Sequence, residues 1–493
     1  MGVDSSSESR LTGSAVVTRW WLHFTVTSAL ALSLGGCATA TVAGPSRGTF
    51  SVADEALLDS LQRRTFNFFW ERTNASNGLT PDRWPTPSFS SVAAVGFALT
   101  AYPIGVERGW ITREQAIART LTTLRFFWNA PQGPAARGMT GHKGFFYHFL
   151  DMNSGERFET VELSTIDTSL LLGGVLFCQT YFDRNTPDEI MIRGLADSLY
   201  RRVEWTWIQP HKPLVNHRWR PEDGYSTHDW RGYDESMILY VLALGSPTFP
   251  VEPAAWNAFT ATNRWMTFQG YEHINFAPLF GHQYSHVWID FRGIRDDYMR
   301  GRGIDYFENS RRATLSQRAY VSANPQGFRE YGGDIWGLTA ADGPIDTVMT
   351  VNGRQVRFWT YSARGAAATE VRDDGTIAPT ASVASIAFTP RESMAAVRAL
   401  RHRAGGIVYQ QYGFLDSFNP TLRDTLVRVR HGRIDPVAGW IDGDYLGIDQ
   451  GPIVAMIENH RSDLVWKTMR RNPHIIRGLQ RAGFTGGWLD AAR

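Results

Sequence analysis

The chain has 493 residues, enough for a large core and, on length alone, for two or three domains. A formal net charge of +2 excludes the strong basic or acidic bias that would point to nucleic acid or an acidic partner. Aromatic residues make up 13 %, with 18 Trp and 17 Tyr. They recur in polar loops, where flat rings suit the C–H faces of sugars and Arg, Asp and Glu can meet hydroxyls.

Arg10 and Arg19 precede an apolar stretch from Trp20 to Leu34, and Gly35-Gly36-Cys37 follows. A basic start, a short hydrophobic run and small residues predict a secretory signal, too short to span a bilayer. Leu34-Gly-Gly-Cys37 resembles the bacterial lipobox. That resemblance implies a lipid anchor on Cys37, the only membrane contact expected, and a place in the periplasm or outer membrane. Residues 1–37 are thus expected to be a lipoprotein signal peptide, 38–51 a flexible tether and 52–493 one domain, since no Pro/Ser linker divides it. Cys178 then has no disulfide partner and reads as a small buried hydrophobe.

Leu57, Leu58, Leu61, Phe66, Phe69 and Trp70 recur at helical spacing between charges, which predicts an amphipathic helix over 52–71. Residues 90–106 predict a second helix, nearly uncharged and rich in Ser, Ala and Gly. Amphipathic and apolar helices then alternate at 112–128, 163–182, 187–207 and 236–245. Further helices are expected at 253–268, 298–319, 389–402, 446–461 and 463–472. Inner helices of a double ring are covered on nearly every face, so this alternation predicts an all-α (α/α)6 toroid. A small β excursion is expected around 345–371, where Asn352-Gly353 separates two β-rich arms.

Asp234 and Glu235 stand directly before the apolar run Ser236–Gly245 and are expected in its first turn. Glu162 and Asp167 flank the start of the helix at 163–182, and Asp449 opens the one at 446–461. Converging inner helices would bring these acids to one cleft. Glycoside cleavage needs two carboxyl groups, one protonated to release the leaving oxygen and one ionised to activate water or attack carbon. Capping of ordinary helix starts explains any single one of these acids equally well. His282 and His286 have i,i+4 spacing, but Gln283 stands where a zinc protease needs Glu. Asp442-Gly-Asp444 has a passing likeness to a calcium loop, but Leu446 and Ile453 replace its later oxygen ligands. No metal and no cofactor is expected.

Eight short segments, in one order along residues 55–490, resemble the glycoamylase-like domain of glycoside hydrolase family 144, the bacterial β-1,2-glucanases. They are Lys143–Asp151, Glu162–Thr168, Tyr233–Met237 with Leu244–Pro247, Gln283–Asp290, Tyr331–Thr339 with Asp342–Pro344, Asp374–Pro379, Tyr412–Asn419 and Ile448–Pro452. The resemblance implies an (α/α)6 barrel that hydrolyses β-1,2-glucan to sophoro-oligosaccharides with inversion and without a cofactor. By position it implies Glu235 as general acid, Asp167 as a cleft aspartate and Asp449 as candidate base. The acidic Asp442-Gly-Asp444 is a rival for the last role. Expected substrate contacts are Phe146, Tyr147, His148, Glu162, Trp230, Arg231, Asp234, His286, Trp288, Tyr331, Trp336 and Tyr412. A glucan-binding lipoprotein without turnover and a transglycosylase of the cyclic β-1,2-glucan synthase type are the competing readings. Endo and exo action both stay open.

Overall fold

The computed structural model describes residues 50–491, apart from residue 352. The expected signal peptide, the anchor at Cys37 and residues 38–49 of the tether lie outside the described residues. In chain order the helices are α1 (Val52–Arg72), α2 (Val92–Glu107), α3 (Arg113–Asn129), α4 (Thr165–Tyr181), α5 (Pro187–Arg201), α6 (Met237–Gly245), α7 (Ala254–Thr260) and α8 (Tyr284–Trp288). They continue as α9 (Asp297–Arg302), α10 (Tyr306–Ala323), α11 (Pro379–Val383), α12 (Pro390–His402), α13 (Gly447–Ser462), α14 (Leu464–Met469), α15 (Pro473–Arg481) and α16 (Gly487–Asp490).

Six of these form an inner ring, in the order α2, α4, α6, α8, α11, α13. Helix α2 packs on both α4 and α13, α4 on α6, and α11 on α13. Hydrogen bonds complete the circuit: Ile238 N–H donates to Ser285 Oγ across α6 and α8, and Gln283 Nε2 to the Ala381 carbonyl across α8 and α11. Helices α1, α3, α5, α7, α10 and α12 alternate with them in sequence and stand outside. This is the (α/α)6 toroid the alternation predicts.

Composition sorts the two rings. Helices α2 and α4 bury nearly every side chain, and both use glycine at their crossing. A Cβ on Gly174 would lie 2.1 Å from the Gly96 carbonyl oxygen, so the backbones touch only because neither residue has one. The outer helices show water a charged face and start with side-chain caps at Ser51, Thr112, Thr186 and Asp305.

One end of the ring is closed by the C-terminal helices. Gly478 of α15 abuts the Val241 carbonyl in α6, and Trp466 Nε1–H donates to the His286 carbonyl at 2.6 Å. The other end carries the long loops. Short strands deliver the chain to the inner helices there: Ser90–Ser91 precedes α2, Leu163–Ser164 precedes α4, and Tyr445–Leu446 precedes α13. Five antiparallel strands form part of this rim, in the order 141–142, 145–147, 163–164, 218–220 and 224–225. No helix among the described residues is long and apolar enough to cross a membrane.

Three expectations change. The helix expected over 253–268 ends at Thr260, and Trp265–Phe268 pairs with Tyr271–Ile274 instead. Gln269 and Gly270 both have positive φ (48° and 81°), the hairpin-turn geometry that β-rich arms favour. The helix expected over 298–319 is two, because Gly303 ends α9 at φ 74° and Asp305 caps α10 anew. Helices α8 and α11, five residues each, are too short for periodicity to reveal. The β excursion is a hairpin of Thr347–Val351 and Arg354–Phe358.

Candidate active site

The site is built from the starts of inner helices. Asp167 lies in the first turn of α4, where its Oδ2 accepts from Ser164 Oγ at 2.5 Å. Asp449 lies in the first turn of α13. Asp234 and Glu235 stand just ahead of α6 rather than in its first turn, because α6 begins only at Met237. Asp234 accepts from the backbone N–H of Ser236 at 2.8 Å and from its hydroxyl at 2.5 Å. Glu235 makes no side-chain cap to α6. Its backbone is held by Ser285 of α8, whose hydroxyl donates to the Glu235 carbonyl at 2.8 Å.

The charges of Asp449, Glu235 and Asp167 all bear on Tyr284. The hydroxyl of this α8 residue donates to the Ile448 carbonyl at 3.3 Å, next to Asp449. Burial raises its pKa, and the charges of Asp449, Glu235 and Asp167 all raise it further, so all three lie within electrostatic reach of one phenol. Tyr361 faces Asp449 and Asp416 in the same way, with half of its surface exposed. Glu235 keeps part of its surface accessible while lying deep in the molecule, as a group on the floor of a hollow does.

Burial and neighbouring charges shift these acids strongly. Burial, then the charges of Asp234 and Asp167, push the Glu235 carboxyl well above the usual range. A carboxyl in that state keeps its proton near neutrality and can donate it. Burial also pushes Asp449 up to about 7 and Asp416 well above the usual range, and a hydrogen bond between the two raises Asp416 while lowering Asp449. Beside Asp167 stands His148, with Nε2 at 3.4 Å from Asp167 and Nδ1 at 2.8 Å from Glu162. Burial alone would lower this imidazole, but Asp167 and Glu162 lift it to about 9. In return His148 outweighs burial at Glu162 and holds it down to about 2, with Arg220 at 3.4 Å assisting. A charged imidazolium thus sits between two carboxylates at the mouth of α4.

Several expected sugar contacts are structural instead. Trp288 is fully buried, stacks on Phe97 with centroids 5.2 Å apart and donates to Thr100 Oγ1. His286 is buried against Ser310, and Trp336 lies wholly in the core. Phe146 packs edge-on against Phe127, Tyr147 lies under Arg157, and the Tyr412 hydroxyl donates to Glu71. Trp230 stacks on His217 at 3.9 Å and donates to Thr165, bracing the loop before α6. These aromatics hold the inner ring together, and composition cannot distinguish that use from sugar stacking. Tyr331 is partly accessible and bonded to Asp373 at 2.6 Å, and Arg231 is exposed.

The sequence reading missed Tyr284, Tyr361, Asp416 and the Asp82-Arg83 pair. Tyr284 and Asp416 fall inside the segments Gln283–Asp290 and Tyr412–Asn419, where the neighbouring His and Tyr drew the attention. Nothing local marks Tyr361 or Arg83, which reach the hollow only through the folded loops.

The glycoamylase family model, described as "Putative glucoamylase", matches residues 227–473, half of the chain. The chain belongs to the glycoamylase family. Its fold matches a Bacteroides fragilis protein described as a putative glucoamylase, at 30 % identity and a TM-score of 0.75, over 89 % of this chain and 99 % of the other. It also matches an endo-β-1,2-glucanase from Chitinophaga pinensis, in complex with sophorotriose and glucose, at 26 % identity and a TM-score of 0.74 over 89 % and 100 %. A Parabacteroides distasonis exo β-1,2-glucooligosaccharide sophorohydrolase (non-reducing end) is 29 % identical over 474 residues, 88 % of this chain. The chain spans 59 % of that relative's length. Membership agrees with the resemblance to family 144 read from the eight segments.

Proposed function

We propose that this glycoamylase-family protein hydrolyses β-1,2-glucosidic bonds in β-1,2-glucan, releasing sophoro-oligosaccharides, as an endo-acting, inverting enzyme. The observation that carries the reading is Glu235: an accessible carboxyl that burial, Asp234 and Asp167 keep protonated, at the mouth of an inner helix. In this role Glu235 gives its proton to the glycosidic oxygen as the bond to the anomeric carbon breaks. Asp449 takes a proton from the attacking water, directly or through a sugar hydroxyl. Asp167 keeps negative charge beside Glu235 and helps to hold the proton there. His148, Glu162, Arg231 and Tyr331 supply polar contacts to sugar hydroxyls around the rim. The names of the Chitinophaga and Parabacteroides relatives support the linkage.

Exo action, releasing sophorose from the non-reducing end, is the second reading, favoured by the name of the Parabacteroides relative. Incubation with linear β-1,2-glucan, with β-1,3- and β-1,4-glucans as controls, tests both. Endo action gives a rapid fall in chain length and a spread of products, whereas exo action gives disaccharide from the start. Binding without new reducing ends would leave only a glucan-binding role, and cyclic products without new ends would mark a transglycosylase. The leader, read from Leu34-Gly-Gly-Cys37, supports an exported, lipid-anchored protein.

A further inference from the structure

A second group of acids lies beyond Asp449, and the proposed reaction does not use it. Asp342, Asp416 and Asp442 are each about 1 % exposed, and each offers a carboxylate oxygen within 4.8 Å of the others. They come from three separate segments fastened together through the backbone. Asp342 N–H donates to Asp416 Oδ2 at 2.7 Å, Asp442 N–H to the Ser417 carbonyl at 3.0 Å, and Ser417 Oγ to the Asp342 carbonyl at 2.8 Å. The carboxylates are therefore held in place and cannot swing apart to escape one another.

Their charge is only partly balanced by protein. Of the two nearby guanidiniums, Arg364 is taken up by Asp374 at 2.8 Å, and Arg83 is shared: 2.6 Å from Asp342, 3.4 Å from Asp82 and 3.8 Å from Asp444. Among the described residues no ion pair reaches Asp416 or Asp442. Independently of the clustering, Asp442 Oδ2 is buried with no hydrogen-bond partner, and Asp416 meets, besides the Asp342 N–H, only the carboxyl of Asp449. Buried carboxylate oxygens left in that state cost several kcal/mol unless something compensates them. One proton would relieve one carboxyl and leave the others, whereas one cation between them relieves all three. Only oxygens are offered, with no His or Cys among the donors, which suits a hard divalent ion and not zinc or copper. Access also exists. A pocket of about 480 Å³, lined by Trp84, Gln411, Arg433, Asp442, Gly443 and Tyr445, opens beside Asp442.

We propose that Asp342, Asp416 and Asp442 form a binding site for a divalent cation of the calcium type. This departs from the sequence-based expectation of no metal, and from the likeness judged there, because two of the three ligands come from outside the Asp442-Gly-Asp444 loop. The ion would tie the loops carrying Asp342, Asp416 and Asp442 to one another. The site does not depend on the hydrolase reading, and its test uses no substrate.

Full-length protein stripped with EDTA is titrated with calcium chloride by calorimetry and melted with and without the ion. The expected result is saturable binding of one ion per chain and a Tm that rises with calcium concentration, with magnesium less effective and sodium without effect. Asp442→Asn is expected to weaken binding at least tenfold while leaving the ion-free melting temperature unchanged or higher. If that variant does not fold, terbium luminescence of the wild-type chain, excited through its aromatic residues and displaced by calcium, reports the same site. No saturable binding into the millimolar range, equal responses to calcium and sodium, an undiminished response in Asp442→Asn, or terbium emission that calcium does not displace would each overturn the proposal.

Discussion

Ser285 and Glu235 share one hydrogen bond that fixes the proposed acid. The Ser285 hydroxyl donates to the Glu235 carbonyl at 2.8 Å and accepts from the Ile238 N–H at 3.0 Å, so α8 clamps the chain on both sides of the start of α6. Ser285→Ala leaves a buried N–H and a carbonyl short of partners, a cost of about 1–3 kcal/mol. The expected outcome is a urea midpoint lowered by that amount and a fall in kcat of about tenfold or more, with KM little changed. A variant of wild-type kcat would show that Glu235 is positioned without α8.

Glu235→Gln removes the proton and keeps the shape. General acid catalysis contributes roughly 10²- to 10⁴-fold, so kcat on β-1,2-glucan should fall by at least that range while affinity for oligosaccharide persists. The melting temperature should not fall, because the wild-type carboxyl is buried beside Asp234 at a cost the amide avoids. Single-turnover assays and binding calorimetry on the same preparation check both halves. Turnover within tenfold of wild type would move the acid to another residue.

Stability should decline as the medium becomes more alkaline. Burial pushes the Asp234 carboxyl up to about 7, against about 3.9 in an unfolded chain. The folded state holds that proton more tightly, so the contribution is complete below about pH 4 and is lost as pH rises through about 7. Glu235, Asp416 and Asp442 shift in the same direction. His148, lifted to about 9 by Asp167 and Glu162 against burial, adds a contribution complete below its unfolded value of about 6.5 and lost on passing about 9. Urea unfolding in ion-free buffer from about pH 7 to about pH 9, above the range in which His217, His273, His282 and His286, lowered by burial, oppose the trend, should show a falling midpoint, with a shallower slope for Asp234→Asn. A midpoint that rises across that range would contradict the assignment.

The double ring was legible because burial on every side leaves a mark on a helix. Helices α2, α4 and α6 carry almost no charge, and their outer neighbours do. The acids were legible as well, since Asp167 and Asp449 open inner helices and Glu235 stands at the threshold of α6. What could not be read was the use of each aromatic ring. Trp288 and Tyr361 look alike in a sequence, yet one is fully buried and the other is half exposed and feels the charge of Asp449, because tertiary packing alone decides which face of a short helix or loop turns inward. The triangle of Asp342, Asp416 and Asp442 was invisible for a related reason. Its members are spread over a hundred residues of sequence and meet only through pairings such as Asp342 N–H with Asp416.

The crossing of α2 and α4 sets two opposing effects against each other. Glycine inside a helix costs about 1 kcal/mol relative to alanine, so propensity alone predicts that Gly174→Ala stabilises. Packing predicts the reverse, because the new Cβ would meet the Gly96 carbonyl at 2.1 Å, and that oxygen belongs to a backbone with no room to retreat. Overpacking of this kind costs about 1–3 kcal/mol or more when backbone must move, which exceeds the propensity gain. Gly174→Ala should therefore lower the urea midpoint. Gly194→Ala in α5 isolates the other effect: its Cβ would meet nothing within 4 Å, and the midpoint should rise by up to about 1 kcal/mol. Stabilisation by both substitutions would mean that α2 and α4 stand farther apart than this fold places them.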